Sequence, residues 1–127
     1  MTGARFLNPL PLRSMERVDA HVALFNAAVR NGDWSAFVAT FAPDAIMGFV
    51  GVPAGPFRGR EAIAQAYANQ PPDDTMTVHT VTASGARDRV RFGWDSGGGG
   101  TMDLLWHGDQ VGELSVTFDL TPPEAAP

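Results

Sequence analysis

The hydrophobic period of this chain changes once along its length, and that change limits the folds open to it. Near the start, Val18, Val22, Phe25 and Val29 recur at steps of four, three and four, one apolar stripe at helical spacing. Beyond Met76 the pattern has period two. Val90, Phe92 and Trp94 alternate with Arg89 and Arg91, and Leu114, Val116 and Phe118 alternate with Glu113, Ser115 and Thr117. Helices followed by an unbroken run of strands give an α+β fold, and short turns between those strands make the sheet antiparallel. The expected architecture is a curved antiparallel sheet wrapped around helices.

Local signals divide the chain further. Ser14 is the expected cap of the first helix, with Glu16 favourable in its first turn, and Asn31-Gly32 ends it. Asp33 is expected to cap a second helix lined on one side by Trp34, Phe37, Val38 and Phe41 and closed by a turn at Pro43-Asp44. Residues 46–52 read as a short strand and 60–69 as a third helix with Ile63 and Tyr67 facing inward. Pro71-Pro72-Asp73-Asp74 stops that helix. Strands follow at 76–84, 89–95, 101–106 and 111–119, with Ser96 and Gly97 to Gly100 as a flexible connection. The order is α-α-β-α-β-β-β-β. Residues 1–13 are expected to run extended, 14–120 to form a single α+β cone domain and 121–127 to be a disordered tail. Three helices cover one sheet face, so the strip Val90, Phe92, Trp94 either packs on them or is buried in a homodimer, the partner expected here.

Composition excludes several functions. A net charge of −5 and a pI near 4.9 oppose nucleic-acid binding. All nine basic residues are arginine. Without lysine there is neither Schiff-base chemistry nor a Walker phosphate loop. Without cysteine there are no disulfides and no thiolate metal sites. The three histidines show no ligand spacing, so no metal and no cofactor is expected. No apolar run reaches membrane-span length and 1–13 lacks a signal-peptide pattern, so no membrane partner is expected and a cytoplasmic location is the simpler reading.

The stretch Phe25-Asn26-Ala27-Ala28-Val29-Arg30-Asn31-Gly32-Asp33-Trp34, followed by Phe41-Ala42-Pro43-Asp44-Ala45, resembles the opening of nuclear-transport-factor-2-like domains. Phe57-Arg58-Gly59-Arg60-Glu61-Ala62-Ile63 resembles their next signature, and Gly108-Asp109-Gln110-Val111-Gly112-Glu113 their last hairpin. The resemblance, which runs from about Ser14 to Asp119, implies the cystatin-like cone shared by ketosteroid isomerases and SnoaL-like polyketide cyclases. It implies an enzyme acting on a hydrophobic carbonyl-bearing small molecule by isomerisation, cyclisation or dehydration. The alternative is a non-catalytic small-molecule-binding or dimerisation domain of the same fold.

Carried over residue by residue, the isomerases' tyrosine falls on Phe25, their catalytic base on Phe49 and their late aspartate on Asp103. Only Asp103 retains the chemistry. Facing an apolar cavity it would be held neutral and donate to a ligand carbonyl, the logic described for ketosteroid isomerase; otherwise it faces solvent or pairs with Arg89 or Arg91. The cyclase pattern places acidic positions on Glu113 and Asp119, with Asp119 as acid/base, although its strand parity puts it on the wet face. His107 shares parity with Asp103 and Leu105 and is a candidate proton shuttle. Arg89 or Arg91 with Asp103 imitates part of the Asp–Arg–Asp set of epoxide hydrolases of this fold. Phe25, Met47, Phe49, Leu105, Leu114 and Phe118 are the candidate pocket residues, with core packing as their other role.

Overall fold

The computed structural model describes residues 10–119. Helix α1 spans Leu10–Asn31, so it begins one turn before the expected cap. Pro11 does not prevent this, because a first-turn N–H has no intrahelical acceptor to lose. Ser14 is therefore not a cap but a buried helical residue, whose Oγ accepts a hydrogen bond from Arg17 Nη2 at 3.3 Å. Residues 10–13, expected to be extended, are helical. The remainder of the N-terminal segment and the tail lie outside the described residues.

Val18, Val22, Phe25 and Ala28 form the buried stripe of α1. The helix stops at Gly32, which takes φ +78° and donates its N–H to Ala28 O at 2.7 Å. Helix α2 spans Ser35–Val38. Trp34 directly precedes it, yet Asp33 supplies the capping chemistry, with Oδ1 accepting from Ser35 N at 3.0 Å and Ser35 Oγ at 2.6 Å.

Pro43 and Asp44 do not turn the chain after α2. They lie within β1, Phe41–Val50, whose register to its neighbour shifts between Phe41 and Ile46. An irregularity there lets a proline without an N–H occupy a strand at no cost to the ladder. The two-residue strand β2, Phe57–Arg58, is too short to leave a periodic signal. Then follow α3, Arg60–Asn69, and four strands: β3, Met76–Ser84; β4, Arg87–Trp94; β5, Gly99–His107; and β6, Gln110–Phe118.

The six strands form one sheet in the order β2-β1-β6-β5-β4-β3. All neighbours are antiparallel except β1 and β6, which run parallel, so the sheet is mixed rather than antiparallel. The cause is topological. The meander from β3 to β6 returns the chain to β1 from the far edge, with α3 in the crossover that a parallel pair requires.

Alternation decides which side chains enter the interior. Val90 and Phe92 are buried while Arg87, Arg89 and Arg91 point outward. The apolar strip of β4 is thus covered within the chain, with Trp94 lying 6.1 Å from the Phe25 ring of α1. Asn26 fastens α1 to the start of β3 by two bonds of 2.9 Å, one given to Met76 O and one accepted from Met76 N. Among the described residues, no helix is long and apolar enough to cross a membrane.

Gly99 and Gly100 belong to β5 instead of forming a flexible connection. A methyl group on Gly100 would strike the carbonyl oxygen of Thr117 and lie 3.2 Å from Phe118 Cα, neither of which can move freely within the sheet. Gly100→Ala is expected to lower stability by about 2 kcal/mol, read as a lower urea midpoint. Gly48→Ala is the control. Its methyl meets nothing nearer than Pro56 Cβ at 4.0 Å, and its midpoint should barely move.

Candidate functional site

The concave side of the sheet and the helices do not close completely on one another. Between them lies a cavity of about 180 Å³. Helix α1 contributes His21 and Phe25, and α2 contributes Phe37. The sheet contributes Phe92, Trp94 and Met102 from the middle strands and Leu114, Val116 and Phe118 from β6. Phe49 of β1 faces Phe118 with the rings parallel to within 4° at 6.0 Å. A second hollow of about 230 Å³ adjoins, sharing Phe49, Tyr67, Pro72 and Phe118 and adding Met47, Phe57 and Gln70.

The cavity has almost no polar lining. Tyr67 donates its hydroxyl to Met47 Sδ at 3.4 Å, and Trp34 stacks on its ring at 4.7 Å. Burial pushes the Tyr67 pKa well above its ordinary value. His21 is held among Phe37, Phe41 and Trp106 at ring distances of 4.8, 5.9 and 6.4 Å. Burial pushes its imidazole down to about 4. Both groups are therefore neutral at pH 7, and the cavity carries no charge.

The structure sorts the sequence candidates by strand parity. Phe25, Phe49, Leu114 and Phe118 line the cavity, and Met47 lines the adjoining hollow. Leu105 does not line it. It is half-buried on the outer face of β5, between Arg87 and Glu113 on the neighbouring strands. Asp103 occupies the same outer face, and its Oδ1 accepts from Arg89 Nε at 2.9 Å. The residue that this part of β5 turns toward the cavity is Met102.

Asp119 directly follows β6 on the outer side, where its two oxygens accept from Arg91 Nη1 and Nη2 at 3.1 Å each. This pairing raises the Arg91 pKa, first through the hydrogen bond and then through charge. Arg89 and Arg91 thus hold separate carboxylates and do not converge into an Asp–Arg–Asp set. His107 is exposed at the last hairpin, its ring lying over Gly112, where a Cβ would make the ring shift. Asp103, Asp119 and His107 are not brought together, and the sheet separates them from the cavity. Among the described residues, no group of three or more potential metal ligands is clustered.

Two polar groups of the interior were not among the candidate site residues of the sequence. His21 completes the α1 stripe, three residues after Val18 and four before Phe25, and that spacing was its signal. Asp88 shares strand parity with Val90 and Phe92, and it is fully buried. It falls between the expected strands 76–84 and 89–95, one residue outside the second, and that hid it.

Fold and cavity together define a small α+β cone with an apolar interior. The chain belongs to the SnoaL-like domain family, whose model matches residues 22–113. Solved structures share the cone. A SnoaL-like protein of unknown function from Burkholderia thailandensis is 15% identical with a TM-score of 0.66, the match covering 83% of this chain and 96% of that one. An LEH-like epoxide hydrolase from M. tuberculosis is 16% identical with a TM-score of 0.64, covering 84% and 85%. A presumed ketosteroid isomerase from Kribbella flavida is 18% identical with a TM-score of 0.61, covering 83% and 79%. At these identities the likeness is one of fold. No curated protein matches the sequence.

Proposed function

We propose that this protein binds a small, predominantly apolar molecule inside its cone and releases it chemically unchanged. The observation that carries this reading is the lining. Phe25 and Phe49, at the positions where the resemblance to isomerases places a tyrosine and a base, turn phenyl rings into the cavity. General acid/base catalysis needs a titratable group within hydrogen-bond reach of the substrate. The carboxylates that the sequence offered for that role are engaged by arginines on the opposite face. Cavities of this kind bind by excluding water from apolar surface.

Acid/base chemistry on a carbonyl compound is the second reading, supported by the enzyme names among the structural relatives and by the one imidazole at the cavity wall.

Naphthalene is a suitable first probe, because engineered apolar voids of about 150 Å³ already admit benzene. Titration of the wild-type protein should show saturable binding. Leu114→Trp, which places an indole in the cavity, should weaken it at least about tenfold while the fold persists. Equal binding by both proteins would contradict the site. Mass spectrometry of ligands recovered after incubation with hydrophobic ketones separates the two readings. Unchanged compounds agree with binding alone, and a converted product would establish the enzyme.

A further inference from the structure

Four side chains, Phe49, Tyr67, Pro72 and Phe118, line both the inner cavity and the adjoining hollow. The wall between the two spaces is therefore one layer of side chains thick. Tyr67 is fixed in it by its stack on Trp34 and its bond to Met47 Sδ. The Pro72 ring is closed on its own backbone. Phe118 lies between Phe49 at 6.0 Å and Trp94 at 6.5 Å, stacked on both. Phe49 is half-buried, with the edge of Phe57 at 6.4 Å as its other aromatic neighbour. Two parallel rings hold a flat guest between them only when about 7 Å apart, twice the carbon–carbon contact distance. Phe49 and Phe118 are closer than that, so no ring passes between them while they stay stacked.

We propose that Phe49, seated on Phe118, is the partition that limits the inner cavity to molecules of one or two rings, and is the residue that sets ligand size. This inference rests on the reading of the cone as a binding cavity and adds what that cavity rejects. The volumes agree with it. The inner space of about 180 Å³ is little larger than the engineered void of about 150 Å³ that admits benzene. Pockets for larger ligands run from about 300 to 1,000 Å³. Neither the inner cavity nor the adjoining hollow of about 230 Å³ reaches that range by itself, and the two joined would. One phenyl ring thus stands between a site for compact molecules and a site for elongated ones.

The test compares naphthalene with N-phenyl-1-naphthylamine, which carries one more ring, by fluorescence titration. Wild type should bind naphthalene and hold the larger probe at least about tenfold more weakly, the penalty of forcing a ring into filled space. Phe49→Ala should reverse the order. It should bind the larger probe at least about tenfold more tightly than wild type does, while naphthalene, having lost one wall, binds more weakly. Adding Ala66→Phe, whose ring would occupy the adjoining hollow, should cancel the gain. Phe118→Ala removes the other ring of the pair and makes the same test if Phe49→Ala does not fold, and the wild-type comparison needs no variant. Wild type binding the larger probe as tightly as naphthalene, or more so, overturns the partition and leaves the cavity standing. So does a folded Phe49→Ala that still rejects the larger probe, or a gain that survives Ala66→Phe. If wild type binds neither probe, the reading of the cavity is overturned together with the partition.

Discussion

Asp88→Ala is expected to destabilise the protein by about 4 kcal/mol, the cost of removing one partner from a buried charged cluster. Asp88 has no solvent exposure. Its Oδ2 accepts from Trp106 Nε1 at 2.8 Å and faces Arg17 Nη2 at 3.4 Å. The Arg17 guanidinium also lies 4.9 Å from the centre of the Trp106 ring. One carboxylate therefore joins α1, β4 and β5 beneath the helical layer. Alanine would leave the indole N–H without an acceptor and Arg17 without its counter-charge, though partial exposure of Arg17 gives it some access to water. Asn keeps an acceptor for Trp106 and should recover roughly half of the loss. Chemical denaturation of the three proteins checks the order. Equal midpoints for wild type and Asp88→Ala would show that the cluster contributes nothing to stability.

The second large effect comes from acid. His21 titrates at about 4 in the folded protein and at 6.5 in the unfolded chain. Between these values the unfolded state binds the proton and the folded state does not. Stability therefore rises with pH across the window and is lost on acidification. The slope reaches about 1.4 kcal/mol per pH unit, and the total between pH 7 and pH 4 is about 3 kcal/mol. The charged groups that line the smaller hollow with His21 are Arg17 on its own helix and Asp109 from the last hairpin.

Carboxylates act in a different range. Hydrogen bonds from Ser35 lower the Asp33 pKa, and hydrogen bonds from Thr75 and Thr77 lower that of Asp95. Their contributions are complete above the ordinary carboxylate value of 3.8 and are lost as pH falls through the depressed folded values. Unfolding free energies at pH 7, 6, 5 and 4 should fall steadily for wild type, and His21→Leu should be nearly flat over the same interval. A parallel decline in both proteins would contradict the burial of a neutral imidazole.

Much of the fold was legible because its signals are local. Period-two alternation gave β3 its bounds and sorted β4 and β6 into inner and outer faces, and α3 begins and ends where its glycine and prolines suggested. The errors came where long-range pairing overrides local cues. Pro43 reads as a breaker, yet a shifted register accommodates it in a strand. Gly99 and Gly100 read as a flexible connection, yet neighbouring backbone comes so close that only glycine fits. The parallel β1/β6 pair depends on where the meander ends in space, which no local pattern encodes.

The site was legible in its apolar half. Phe25, Phe49, Leu114 and Phe118 follow from periodicity combined with the family resemblance. Asp103 attracted attention as an acid in an apolar strand, although parity with Thr101 and Leu105 placed it beside Arg89. His21 and Asp88, the polar groups that do lie inside, looked marginal in sequence. A polar residue on a buried stripe is read as an interruption of it until the surrounding side chains are seen to close over it.

The central claim is that the cone holds an accessible apolar chamber able to receive a guest. A crystal of the protein soaked in bromobenzene tests this most directly, because the bromine's anomalous signal locates the ligand without ambiguity. The account predicts a peak inside the cone, within contact of Phe25, Leu114 and Phe118. Bromine found only on the outer surface, or a chamber closed by its own side chains, would contradict it.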